Sequence, residues 1–126
     1  ACGKSKVKVY KQLKIGVLAT GDELVDIHTF PKEDKIRATN LYTLLALIKQ
    51  LNMIPVNYGF VKDRKDEIKV RIESVLNSEI DVLLTTGGVS VGKFDYVKEI
   101  IQELGVEIKF WKTNIKPGKP IVFGVF

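Results

Sequence analysis

The stretch from Asp81 to Asp95, DVLLTTGGVSVGKFD, constrains the fold more than any other part of the chain. Its apolar run Val82-Leu83-Leu84 is short enough for a buried strand. The pattern breaks at Thr85 to Gly88, a third glycine stands at Gly92, and an amphipathic run follows from Phe94 to Leu104. A strand, a glycine loop and a helix start, in that order, are parts of an open α/β sheet. In such sheets ligands bind outside the carboxyl ends of the strands. Glycines let the backbone approach a phosphate closely, and free N–H groups at a helix start favour an anion. The spacing matches neither the P-loop nor the dinucleotide G-x-G-x-x-G, so a plain strand-to-helix connection is the competing reading.

The remaining segments extend this pattern. Residues 1–13 are polar and basic, with Val7 and Val9 alternating with lysines, and read as a linker or an edge strand. Ile15 to Ala19 reads as a buried strand ending in Thr20-Gly21-Asp22-Glu23. The aperiodic stretch Asp26 to Arg37, with Pro31, is expected to be a loop. Leu41, Leu44, Leu45, Ile48 and Leu51 have helical spacing, and Thr39 or Asn40 suits the cap. Ile54 to Val61 reads as a strand, near a sheet edge because of Pro55. Asp63 resembles the cap of a second helix, whose face is Ile68, Ile72, Val75 and Leu76. Gly105 is a stop for the third helix. Val106 to Trp111 and Ile121 to Phe126 are the last strands. Strands alternating with helices predict helices on both faces of a largely parallel sheet.

Three strand-end loops then carry the candidate chemistry: Thr20 to Glu23, Thr86 to Asp95, and Lys112 to Lys119. On one rim of a parallel sheet they would share a cleft. Asp22, Glu23 and Asp95 beside Lys112, Lys116 and Lys119 suit a phosphorylated ligand with Mg²⁺, which binds through carboxylates and substrate oxygens. Each also has a plain reading. Glu23 fits the first turn of a short helix, Asp63 and Asp95 fit caps, Ser90 fits a turn, and Lys112 fits an exposed strand end. The run Lys116-Pro117-Gly118-Lys119-Pro120 is harder to explain so, because two prolines and a glycine stiffen a turn between lysines.

Composition sets limits. At 126 residues the chain is one domain long, and a core of that size needs no disulfide or metal staple. Cys2 is the sole cysteine and His28 the sole histidine, which excludes an internal disulfide and a Cys- or His-based metal site. The net charge of +5 comes mostly from dispersed lysines, with Arg37, Arg64 and Arg71 the arginines. That distribution suits solvated surface better than a nucleic-acid interface. No apolar run approaches a membrane span, and nothing resembles a signal peptide, so a cytoplasmic setting is expected. The chain stops on an apolar strand without a polar tail, and a fragment of a larger protein is the expectation.

Taken together, these residues resemble the molybdopterin molybdotransferase family of molybdenum cofactor biosynthesis. The resemblance runs through TGDEL (Thr20 to Leu24), TTGGVSVG (Thr85 to Gly92) with FDYVK (Phe94 to Lys98), and FWKTNIKPGKPIVFG (Phe110 to Gly124). It implies a three-layer α/β/α fold with a mixed, mostly parallel sheet over residues 14–126, preceded by a segment of another domain. It further implies an enzyme that takes adenylylated molybdopterin and molybdate, inserts the metal at the dithiolene, and releases AMP with Mg²⁺ assistance. Carried onto matching positions, Glu23, Asp63, Asp95, Lys112 and Lys116 would be catalytic, with Asp95 and Glu23 nearest the metal. Gly87, Gly88, Ser90 and Gly92 would line the phosphate loop. Thr20, Asp22, Pro117 and Lys119 complete the expected binding residues, and Lys116 with Pro117 would form the molybdate pocket. A molybdopterin adenylyltransferase is the implied upstream partner, and the full-length protein an implied homodimer. No nucleic acid and no membrane is implied.

Two departures accompany the resemblance. Lys93 stands where the family usually has an acidic or polar residue, and the flanking domains and their Pro-Gly-Asn-Pro segment are not in this sequence. Three alternatives share the fold: molybdopterin adenylyltransferase, which lacks the Lys-Pro-Gly-Lys-Pro run; a competence-damage-inducible domain acting on nucleotides; and a non-catalytic scaffold.

Overall fold

The computed structural model describes residues 3–88 and 96–126. Its elements are β1 (Lys14–Thr20), β2 (Leu24–Val25), β3 (Ile36–Arg37), α1 (Thr39–Gln50), β4 (Ile54–Val61), α2 (Lys65–Leu76), β5 (Val82–Thr86), α3 (Tyr96–Glu103), β6 (Glu107–Trp111) and β7 (Val122–Val125). Strands β4, β1 and β5 form a parallel sheet in that order.

The centre of the sheet follows from the sequence KIGVLAT. Successive side chains of a strand point to opposite faces. Val17 and Ala19 therefore pack on one side with Ala38, Leu41 and Ile48 of the α1 region. Leu18 packs on the other with Ile68 and Ile72 of α2 and Val97 and Ile100 of α3. Leu18 is completely buried, which is worth about 1.5–3 kcal/mol for a side chain of its size. Covered on both faces, β1 is apolar from Ile15 to Ala19, and its helices make the three layers anticipated from the alternating pattern. Strand β4, which carries Pro55, lies at the edge of this sheet, where proline is tolerated.

The route of the chain matters for the site. From β1 it passes through α1 to β4 on one side, then through α2 on the opposite face to β5 on the other side. The connections after β1 and β5 thus diverge, and the carboxyl ends of these neighbours form a topological switch point. At the amino ends, the Lys14 N–H donates to Asp81 Oδ2 at 2.8 Å, and Lys11 Nζ lies 2.9 Å from Oδ1. One carboxylate thereby joins the starts of β1 and β5.

Several local expectations are corrected. Asp26 to Arg37 is not all loop: Ile36 and Arg37 pair in parallel with Leu24 and Val25. A pairing of two residues leaves no periodic trace in a sequence. Neither Thr39 nor Asn40 caps α1, since Ala38 is at the cap position and no side chain bonds there. Asp63 does not cap α2 either; Arg64 occupies that position. Thr85 and Thr86 continue β5 rather than break it. Gly105 does end α3, with φ +90° and the Gly105 N–H bonded to the Gln102 carbonyl.

The final strands exist where expected but pair with each other, antiparallel, in a separate two-stranded sheet. Residues 3–13 form no strand, and Val7, Val9 and Tyr10 are exposed. Among the described residues no helix is long and apolar enough to cross a membrane.

Candidate functional site

Thr20 ends β1 at the switch point and is only 4% exposed. The β5 loop lies directly on it. Gly87 has φ +88°, and a Cβ there would stand 2.4 Å from the Thr20 carbonyl oxygen and 2.7 Å from its Oγ1. Gly88 has φ +64°, and its Cβ would stand 2.5 Å from Val97 Cγ2. Both positions demand glycine twice over, for backbone conformation and for space. The paired glycines read as a phosphate approach are thus also the joint that lets β5 close onto β1 and α3.

The acidic side of the site comes from the turn after β1 and the end of β4. Gly21 N–H bonds to the Val61 carbonyl at 3.1 Å, which holds the turn against β4. The Asp63 N–H donates to Asp22 Oδ1 at 3.2 Å. Burial holds the Asp63 carboxyl above the usual carboxylate range, opposed by the Asp22 backbone N–H and reinforced by the charges of Glu23 and Asp22. The Thr20 hydroxyl lies near enough to lower it slightly. Thr20 Oγ1 is thus buried beneath Gly87 with the Asp63 carboxyl as its polar neighbour. The Glu23 carboxylate folds back over Gly21, where a Cβ would be 2.6 Å from Glu23 Oε2.

Between the ends of β1 and β5 and the start of α1 is a cavity of about 170 Å³. Its polar lining includes Thr20, Glu23, Arg37, Thr39, Asn40 and Thr86, with Gly87 at its β5 side. Arg37 was not singled out in the sequence, and Thr39 and Asn40 were read only as caps. The signal was present but hidden: with alanine at the cap position, the first amides of α1 keep their donors for something else.

The third loop is elsewhere. Lys112, Lys116, Pro117 and Lys119 lie in the connection between antiparallel β6 and β7 and do not line the cavity. The rule that parallel strand ends converge on one rim does not reach a hairpin. Lys112 has φ +68°, and its N–H bonds to the Ile121 carbonyl at 2.8 Å. Lys98 Nζ of α3 sits 3.4 Å from the Trp111 ring centre and ties the hairpin to α3 by a cation–π contact, while Lys112 Nζ, of the hairpin itself, lies 4.0 Å from the same ring. The structure therefore brings Thr20, Asp22, Glu23, Asp63, Gly87 and Gly88 together and places the lysine loop apart. Ser90, Gly92 and Asp95 lie outside the described residues. Among those described, no three His, Cys, Asp or Glu side chains are grouped to hold a metal.

A family model described as a probable molybdopterin binding domain matches residues 16–126. The chain belongs to this family. A molybdopterin molybdenumtransferase of Haemophilus influenzae is 39% identical over 122 residues, covering 97% of this chain and 30% of that protein. A putative molybdopterin biosynthesis protein of Methanocaldococcus jannaschii is 40% identical over 131 residues, covering 98% of this chain and 32% of that protein. The chain thus spans about a third of these curated relatives. Among solved structures, a molybdopterin biosynthesis protein of Pyrococcus horikosii superposes with a TM-score of 0.81 at 31% identity, over 94% of this chain and 28% of that one. The family resemblance carried by the three sequence motifs and these matches agree.

Proposed function

We propose that this chain is the ligand-binding domain of a molybdopterin molybdotransferase, which binds adenylylated molybdopterin and molybdate, inserts the metal and releases AMP. The observation that carries this reading is the cavity at the switch point, bounded by an acidic wall at Glu23 and an uncapped helix start at α1. The near relatives' printed names supply the substrate class.

Burial and the charges of Glu23 and Asp22 oppose ionisation of Asp63, and a bound Mg²⁺ would offset that cost. Magnesium is usually held by one or two carboxylates together with substrate phosphates, so a complete protein cage is not required. Glu23 and Asp95 would hold it, with Asp63 beside them. Bound there, Mg²⁺ would neutralise charge on the pyrophosphate as AMP departs. Gly87, Gly88, Ser90 and Gly92 would present backbone N–H groups to phosphate oxygens. Lys112 and Lys116, with Pro117 and Lys119, would receive molybdate as a tetrahedral dianion. For that, the hairpin must approach the cavity in the full-length protein, where the homodimer and cytoplasmic setting implied by the resemblance also belong, together with an adenylyltransferase that supplies the substrate.

The test is calorimetric titration of the chain with molybdopterin and with its adenylylated form, each with and without Mg²⁺. Tighter, Mg²⁺-dependent binding of the adenylylated form is expected. Equal binding of both forms, indifferent to Mg²⁺, would contradict the reading.

A further inference from the structure

We propose that Lys98 and Lys112, drawn together on the ring of Trp111, form a grip for one tetrahedral oxyanion. For molybdate as the natural ligand this rests on the function proposed above, to which it adds Lys98 of α3 as a binding residue. Trp111 ends β6 and is the sole tryptophan of the chain. Lys98 Nζ and Lys112 Nζ lie 3.4 and 4.0 Å from its ring centre. Successive side chains of an extended strand point to opposite faces, so Lys112 would ordinarily turn away from the Trp111 ring. Its φ of +68° is in the left-handed region that a residue with a Cβ seldom enters, and it ends the extended run. The Lys112 N–H bond to the Ile121 carbonyl and the Thr113 N–H bond to the Lys119 carbonyl, at 3.0 Å, hold this conformation. The strained residue thus returns its ammonium to the ring that Lys98 meets from α3. Strain of this kind persists where the surroundings enforce it, and it gathers at ligand clamps.

The charges of the two lysines are not balanced by their neighbours. The carboxylates of α3 and β6 are engaged by other lysines: Glu99 and Glu103 by Lys65 and Lys69, and Glu107 by Lys109. Among the described residues, neither Lys98 nor Lys112 makes a side-chain hydrogen bond or ion pair. An aromatic face attracts cations but has no net charge, so two ammonium groups held beside one ring still repel each other. A dianion accepting from both would relieve that repulsion. Ammonium groups are compact point charges with rotatable donors, which suit a tetrahedral oxyanion and need no planar partner. Trp111 is exposed, so the ring and its two cations are open to an anion from solvent.

Trp111 fluorescence tests this, because no other tryptophan is present. The chain is titrated with molybdate, and separately with inorganic phosphate, at fixed ionic strength. Adenylylated molybdopterin with Mg²⁺ is titrated in parallel by calorimetry. A saturable change in Trp111 emission with molybdate is expected. Lys98→Gln and Lys112→Gln should each weaken that binding about tenfold or more, as for loss of a charged hydrogen bond, with the thermal midpoint preserved. Lys98→Arg should keep most of it. Lys109→Gln, which removes a β6 cation already paired with Glu107, should leave it unchanged. Saturation by phosphate and not by molybdate supports the grip and assigns it to a phosphate ester. Equal weakening by Lys98→Gln and Lys109→Gln would reduce the effect to net charge and overturn the grip, as would a response that does not saturate. If the pterin binds and neither oxyanion acts on Trp111, the grip is overturned while the proposed function stands. If molybdate binds through Lys98 and the pterin does not bind, the grip stands and the proposed function fails.

Discussion

The carbonyl oxygen of Thr20 occupies the place where a side chain on Gly87 would begin, 2.4 Å from the Cβ that position lacks. The ends of the two central strands are thus in backbone contact, closer than a side chain at Gly87 would allow.

Gly87→Ala is expected to destabilise the chain by about 2 kcal/mol or more. A positive φ alone costs about 1–2 kcal/mol for a residue with a Cβ, and the backbone contact adds to it. Denaturant unfolding measures the change. A loss below about 0.5 kcal/mol would show that the β5 loop relaxes away from Thr20.

Leu18→Ala is expected to cost about 2–5 kcal/mol, because it empties a fully enclosed site between α2 and α3. Leu51→Ala, at a residue 69% exposed just past the end of α1, should change stability by less than about 0.5 kcal/mol. Equal losses at the two positions would contradict the layer assignment.

The Lys14 backbone N–H, and then the Lys11 ammonium, hold the Asp81 carboxyl below its ordinary value. A carboxylate depressed on folding stabilises the fold above its unfolded value near 3.9 and loses that contribution as pH falls through its lower folded value. Asp81→Asn should therefore lower the thermal midpoint at pH 7, with the gap to the parent narrowing at low pH. A gap independent of pH would mean that shape rather than charge matters there.

Asp63 is a carboxylate whose ionisation the fold opposes, through burial and through Glu23 and Asp22. Asp63→Asn should leave stability at pH 7 unchanged or raised, while weakening Mg²⁺-dependent binding of adenylylated molybdopterin. Destabilisation with binding intact would reassign Asp63 to a structural role.

Lys116→Ala, in the full-length protein, should impair molybdate use more than pterin binding. Equal loss of both would remove the molybdate role from the hairpin.

Local sequence determined most of the elements. The run IGVLA is apolar without alternation because β1 is covered on both faces, and the spacing of Ile68, Ile72 and Val75 marks the buried side of α2. Glycines at 87, 88 and 105 were legible because their backbone angles admit little else. Capping was misread at Asp63, Thr39 and Asn40, since a polar residue near a helix start looks alike whether it bonds the helix or a neighbouring turn. Only the tertiary structure decided that Asp63 meets Asp22 and Glu23, that Arg37 and the start of α1 line a cavity together with Thr20, and that the lysine loop sits on a hairpin held by Trp111. Periodicity reports which face of an element is buried. Which elements then meet depends on strand order and crossover, and those are set by the packing of residues distant in the chain.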